Sequence, residues 1–193
     1  MIGFPVGNLY VLSWLGLSMA IKGLKQTSEL VQISGNVTEA TANTFVEERI
    51  DLQLDVLSRE VFVVVAVDIN ASLPDANAAD NETLVRSSLS TVSRSSVGTL
   101  ADTNTFATSR SAIVSDTASV PPQIAGIYSD ASTETPHAQL KYIHIIATND
   151  FYAQIVGTGN TRVKASDFRV WGYRATASAD VFAALTQSEL LSQ

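Results

Sequence analysis

Few residues in this chain have side chains suited to catalysis or metal binding. The only histidines are His137 and His144, and there is no cysteine. Seven is an odd separation, so on one continuous strand the two imidazoles would point to opposite faces. We therefore expect structural histidines and no shared metal site. The lack of cysteine excludes disulfides, thiolate nucleophiles and cysteine-based zinc sites.

Acidic pairs are the next candidates for chemistry. Asp51 and Asp55 lie four residues apart, and Glu47 and Glu48 are adjacent. Apolar and polar residues alternate around them, so we interpret these carboxylates as the solvated face of a strand, with a glycosidase pair as the alternative. The chain has no Gly-x-Ser-x-Gly elbow, glycine-rich phosphate loop or His-Glu-x-x-His pattern, and it lacks the histidine set of a cupin enzyme. The sequence predicts no enzyme, no catalytic residue and no cofactor.

A third group combines aromatic and cationic side chains. Arg169, Trp171, Tyr173 and Arg174 follow one another near the end of a predicted strand. Such residues stack bases in nucleic-acid binders and are also enriched at the centres of protein interfaces. The net charge of −7 disfavours direct nucleic-acid binding, so we favour the interface role. The predicted assembly residues are Tyr10, Trp14, Arg169, Trp171, Tyr173, Phe182 and Leu185.

The composition supports an assembly role. Charged residues make up only 16% of the chain, whereas Ser and Thr number 22 and 18, together 40 of 193 residues. About 25% charged residues is usual for a soluble domain. Hydroxyl groups cost less to dehydrate than charges, so a surface covered with Ser and Thr is compatible with burial against neighbouring subunits.

Period-two alternation predicts an all-β protein. The clearest part is Ala138–Thr176, which we interpret as three strands of an antiparallel meander joined by turns at 148–150 and 158–160. The continuous apolar run Val61–Val67 predicts a central strand buried on both sides. Further predicted strands are Leu30–Ser34, Phe45–Leu57, Leu84–Val92, Ala112–Val120 and Ile124–Tyr128, and the predicted loops are 71–81, 93–110 and 129–136.

Two terminal segments flank this β region. Residues 9–21 are apolar but too short for a comfortable membrane span, and no basic residue precedes them as in a signal peptide. This segment either folds onto the chain's own core, or is held by a neighbouring subunit or a bilayer interface. Ser178–Leu191 predicts a helix with Asp180 in its first turn. The predicted organisation is an apolar N-terminal arm or helix (1–25), a β-sandwich (26–176) and a C-terminal helix (177–193).

About nine strands connected by tight turns and long crossovers favour a single jelly roll. Three stretches, Leu57–Ile69, Ser93–Gly98 and Phe151–Ala175, resemble the small single jelly-roll capsid proteins of tailless icosahedral viruses with an internal membrane, which infect halophilic archaea and thermophilic bacteria. The resemblance implies a subunit of the virion that packs with copies of itself or a paralogue over a membrane. Residues 9–21 have no match in that family's pattern.

A second function class is a carbohydrate-binding or adhesin-like sandwich on a cell surface. It would use the loops at 70–82, 98–110 and 129–136 to hold its ligand. Both classes share the predicted all-β antiparallel sandwich, so the fold alone does not separate them.

Overall fold

The computed structural model describes residues 21–130, 132–134 and 140–191, and this part of the chain is an antiparallel β-sandwich. The strands are β1 (Leu24–Gln26), β2 (Val31–Thr38), β3 (Val46–Asp51), β4 (Glu60–Ala71), β5 (Glu82–Ser90), β6 (Thr105–Asp116), β7 (Gln123–Asp130), β8 (Ser132–Glu134), β9 (His144–Ile146), β10 (Asp150–Thr158) and β11 (Ala165–Ala177). A 3₁₀ turn spans Val56–Ser58, and helix α1 spans Ala179–Leu191.

The strands form two sheets. In sheet A, β11 pairs with β1 and β2 on one side and with β4 on the other, and β4 also pairs with β8 and β9. Sheet B has the order β3-β10-β5-β6-β7. All these pairings are antiparallel.

The wiring is that of a jelly roll, as the sequence predicts. The chain pairs as a nested hairpin: β2 with β11, β3 with β10, β4 with β9, and β5 with β6. Successive pairs fall alternately in sheet A and sheet B. A long hairpin rolled in this way gives two Greek keys facing each other across one core.

The predicted meander over Ala138–Thr176 is wrong, although its three strands exist. Strands β9 and β11 belong to sheet A, whereas β10 lies between β3 and β5 in sheet B. The segments that join them, 147–149 and 159–164, therefore cross between sheets and do not close hairpins within one sheet. Side-chain alternation shows that a segment has two faces, but it does not show which strand is its neighbour.

The predicted loop 93–110 is also too long, because β6 already begins at Thr105. Its first residues are mostly Ser and Thr with a single large apolar residue, Phe106, so the sequence has little strand signal there. Several of these hydroxyl groups are buried and hydrogen-bonded: Ser109 Oγ accepts from the Ala71 backbone N–H, and Ser111 Oγ donates to the Ala71 carbonyl. Part of the Ser and Thr content thus joins the two sheets and does not cover the surface.

The interior between the sheets is filled by apolar side chains. Phe151 makes edge-to-face contacts with Phe106 and Phe168, at ring-centroid distances of 5.9 and 6.0 Å. The Phe168 ring lies against Gly35, where a Cβ atom would approach it to 2.5 Å. Phe62 lies in the same way against Gly172. Because glycine has no Cβ atom, the two phenyl rings can occupy this space, and the interior of the jelly roll is filled.

Strand β4 is buried on both faces at one end, which confirms the prediction for Val61–Val67. Phe62 and Val64 point into the sandwich, whereas Val61 and Val63 point to the outer face of sheet A. That outer face is covered there by α1. Within the described ranges, no helix is long and apolar enough to cross a membrane.

Candidate assembly surfaces

The helix-covered half of sheet A is the first surface to consider. Here α1 packs through Val181, Phe182 and Leu185 on the outer face, where it also meets Tyr173. Ile21 and Leu24 join the same apolar cluster. The Ser178 backbone N–H donates to the Gly23 carbonyl at 2.8 Å, which ties the start of the helix to the start of the described chain. The beginning and the end of the described part of the chain thus meet over sheet A.

The last turn of α1 contains a buried acid, Glu189. Glu189 Oε1 accepts a hydrogen bond from the Ala147 backbone N–H at 3.1 Å. Burial raises the pKa of this carboxyl, and hydrogen bonds from Ala147 and Thr148 only partly oppose that effect. Glu189 and His144 line a common cavity of about 60 Å³. The packing of α1 on sheet A therefore depends on the protonation state of Glu189.

His144 is a packed side chain. Its ring stacks on Phe106 with a centroid distance of 5.6 Å and an interplanar angle of 18°. Burial lowers the pKa of His144. Among the described residues, no group of three or more His, Cys, Asp or Glu side chains could hold a metal ion. His137 lies outside the described residues.

The other half of the outer face of sheet A is open and polar. Asn36, Asp68, Asn70, Asp167 and Arg169 line a depression of about 570 Å³. Asn36 Nδ2 donates to Asp167 Oδ1 at 2.7 Å, so part of this hydrogen-bonding capacity is used between neighbouring strands. The exposed guanidinium group of Arg169 suits contacts with a polar ligand or another subunit.

The outer face of sheet B is covered around Ser88 and Gln154 by the crossover 91–104. At the centre of this contact Gln154 is fully buried, accepting from Ser88 Oγ at 2.6 Å and donating to Glu47 Oε2 at 3.0 Å. The Gly98 backbone N–H donates to Ser88 Oγ, which fastens the crossover to the sheet. A satisfied buried network of this kind holds a loop in one position. Glu47, one of the paired acids noted in the sequence, thus accepts a hydrogen bond that holds the structure together.

The loops at one end of the sandwich are joined by an ion pair between a buried lysine and a half-buried aspartate. Lys164 Nζ lies 2.6 Å from Asp75 Oδ1 and donates to the Leu73 carbonyl at 3.2 Å. The hydrogen bond from Lys164, followed by those from Thr161 and Arg162, holds the pKa of Asp75 far below its usual value. This pair links the connection between β4 and β5 to the connection between β10 and β11.

Two further buried side chains complete that end. Glu39 accepts hydrogen bonds from the backbone N–H groups of Gly157 and Lys164, at 2.7 and 2.9 Å. Asn160 accepts from the Asp75 backbone N–H and donates to the Leu84 carbonyl. Because this network joins the β2–β3, β4–β5 and β10–β11 connections to one another and to strands β5 and β10, it gives this end of the molecule one defined shape.

Strand β7 is the one β-strand whose residues are all exposed, among the strands with described burial. It forms an edge of sheet B, and in the described part of the chain it pairs only with β6. Ile127 and Tyr128 are 65% and 54% exposed, although successive strand residues point to opposite faces. Both faces of β7 are therefore open to contacts.

The structure distributes the predicted assembly residues over two regions. Tyr173, Phe182 and Leu185 meet in the cluster beneath α1, so their contacts are within the chain. Arg169 is exposed in the polar depression, and Trp171 is half-buried on the strand between the two regions. Tyr10 and Trp14 lie outside the described residues.

Sequence reasoning missed the exposed strand β7 as a surface. The segment Ile124–Tyr128 is predicted as a strand, but the apolar residues alone do not indicate exposure. One signal was present: Ile127 and Tyr128 are large apolar neighbours, so they cannot both point into one core. Consecutive apolar residues also occur in Val61–Val67, where they are buried on both sides. Consecutive apolar residues therefore show that both faces of a strand are apolar, but only the tertiary structure shows whether those faces are covered.

Comparison with known proteins finds solved structures that are similar to this chain at low sequence identity. The sequence matches no family model and no curated protein. A chain of Desmodium yellow mottle tymovirus is similar at 13% identity, over 92% of this chain and 93% of that chain, with a TM-score of 0.25. A chain of turnip yellow mosaic virus is similar at 13% identity, over 79% of this chain and 95% of that chain, with a TM-score of 0.25. The jelly-roll assignment rests on the strand pairing of this chain itself.

Proposed function

We propose that this protein is a structural subunit that packs with copies of itself, or with a paralogue, into a viral capsid shell. The jelly roll serves as a capsid subunit, as a lectin domain and as the barrel of cupin enzymes. To choose among these uses, we ask whether the interior could hold a substrate, whether the loops could bind a ligand, and whether the outer surface could contact other subunits.

The observation that carries the proposal is the filled interior. Phe62, Phe106, Phe151 and Phe168 occupy the space between the sheets, each at most 4% exposed. A cupin places its metal and substrate inside the barrel, and here packed rings take that volume. The interior thus supports stability and not chemistry, so we assign the protein no enzymatic role.

The surface fits assembly. Strand β7 presents uncharged apolar residues on two faces, and exposed apolar patches of this kind mark interaction sites. The buried networks at Lys164 and Gln154 hold the loop end and the crossover in fixed positions. Rigid, preformed surfaces reduce the entropy lost when subunits associate.

We propose that the protein is part of the virion and that the apolar segment 9–21, apart from Ile21 at its end, contacts a neighbouring subunit or a bilayer. Ile21 packs beside α1, so the described part of the chain begins on the outer face of sheet A. On this basis that face would point towards an internal membrane. Arg169 and Trp171, on the open part of the same face, are proposed subunit contacts.

The direct test is the assembly state of the purified full chain. We expect oligomers by light scattering and sedimentation, and rings or shells by negative-stain electron microscopy. The packing proposal fails if the folded protein stays monomeric at every concentration and salt condition that keeps it soluble.

The polar depression on sheet A favours a second candidate, carbohydrate binding. Carboxylate, amide and guanidinium groups from three strands converge there, and such groups bind sugar hydroxyls. A reproducible glycan-array signal that is lost on Asp167→Ala would support this function. If the protein is monomeric and gives that glycan-array signal, carbohydrate binding would replace the capsid function as the proposal.

A further inference from the structure

Strand β7 has an open edge as well as two open faces. A strand at the edge of a sheet leaves the N–H and C=O groups of alternate residues without ladder partners. Among the described residues, β7 pairs with β6 along one side only. Its other side offers backbone hydrogen bonds to an incoming strand, and Ile127 and Tyr128 offer apolar contacts above and below.

The two edges of sheet B differ in charge. Strand β3, at the opposite edge, carries Glu47, Glu48, Arg49 and Asp51 among its six residues. Charged side chains protect an edge strand from pairing with another chain. Between Ile124 and Ser129, β7 has no charged residue. One edge of the sheet is therefore protected and the other is not.

The net charge indicates which partner fits. Two copies of a chain with a net charge of −7 repel each other, and this repulsion is smallest where uncharged surfaces meet. The β7 surface is uncharged and apolar, so it is complementary to itself. An acidic or basic partner strand would find no opposite charge on it.

We propose that β7 pairs antiparallel with β7 of a second copy, which joins the two five-stranded B sheets across a twofold axis. This inference rests on the proposed assembly function and names the contact. In an isologous pair of this kind residue i faces residue j of the partner and j faces i, and only the residue at the twofold axis lies next to its own copy. The backbone supplies the hydrogen bonds, and Ile127 and Tyr128 bury apolar surface on opposite faces of the joined sheet.

A cysteine scan tests this arrangement directly, because the natural chain has no cysteine. Single substitutions to cysteine at each position from Ile124 to Ser129 are made in the full chain and oxidised mildly. Gly126→Cys is sterically allowed within the chain, since no atom lies within 4 Å of its added Cβ. We expect disulfide-linked dimers with one maximum along the strand. Leu57→Cys is the control, because Leu57 is 98% exposed but lies on the 3₁₀ turn.

A charge substitution gives the second arm. Ile127→Lys places like charges at the pairing edge, and we expect the dimer to weaken by about tenfold or more, without loss of the folded monomer in circular dichroism. Leu57→Lys, the matched control, should retain the wild-type association.

The outcomes separate this inference from the proposed function. Oligomers that persist in Ile127→Lys, with no preferred crosslink in β7, would overturn the β7 contact and leave assembly through another surface. A wild-type chain that is monomeric throughout would overturn both proposals. A crosslink maximum in β7 together with dissociation by Ile127→Lys supports the paired strand.

Discussion

The ion pair between Lys164 and Asp75 is the strongest candidate for a single-residue contribution to stability. Lys164→Met removes the donors to Asp75 and to the Leu73 carbonyl and leaves a carboxylate without its cation. We expect a loss of about 2–3 kcal/mol in the free energy of unfolding at neutral pH, measured by urea denaturation. Arg162→Met is the control, because its exposed side chain lies in the same connection.

The pH dependence of this loss has a defined sign. The pKa of Asp75 in the folded chain lies below its unfolded value of 3.8, so the carboxylate stabilises the fold above that pH. This stabilisation disappears as the pH falls through the folded pKa. The difference between wild type and Lys164→Met should therefore shrink on acidification below 3.8. A difference that stays constant with pH would contradict the ion-pair explanation.

At the scale of elements, the docking of α1 depends on the protonation of Glu189. Burial raises the pKa of this carboxyl above its unfolded value of 4.5, so the protonated form fits the docked helix better. Its contribution is fully present below pH 4.5 and is lost as the pH rises through the folded pKa. Glu189→Gln keeps an oxygen for the Ala147 N–H and does not ionise. We expect the variant to gain about 1–2 kcal/mol relative to wild type as the pH is raised.

Thermal unfolding and limited proteolysis of the C-terminal segment measure this effect across the pH range. His144, in the same cavity, also titrates, so its contribution is compared in both proteins. Gln187→Ala, on the exposed side of α1, controls for helix propensity. Parallel pH profiles for wild type and Glu189→Gln would refute the coupling.

At the scale of the whole molecule, association should strengthen with salt. Each copy carries a net charge of −7, and added salt shortens the screening length from about 10 Å at 0.1 M to about 3 Å at 1 M. Because the β7 contact is apolar and uncharged, screening removes the repulsion without weakening the attraction. Sedimentation at both salt concentrations measures the association constant. Weaker association at high salt would indicate an interface built on ion pairs.

The sequence by itself determined the local structure. Alternation placed most strands correctly, the apolar run Val61–Val67 indicated burial on both sides, and Ser178–Leu191 predicted α1. These features depend on neighbours within a few residues, so a local pattern contains them. The strand at Thr105 was missed because its hydroxyl residues satisfy their hydrogen bonds only through distant partners such as Ala71.

Only the tertiary structure decided which strands pair and which surfaces stay open. Arg169, Trp171 and Tyr173 share one face of β11, yet α1 packs against Tyr173 and leaves Arg169 exposed. The apolar residues of β4 and β7 look alike in sequence, but β4 has the core of the sandwich on one face and α1 on the other, whereas both faces of β7 are exposed at the edge of sheet B. Burial depends on what the rest of the chain places against a strand, and that is a property of the whole fold.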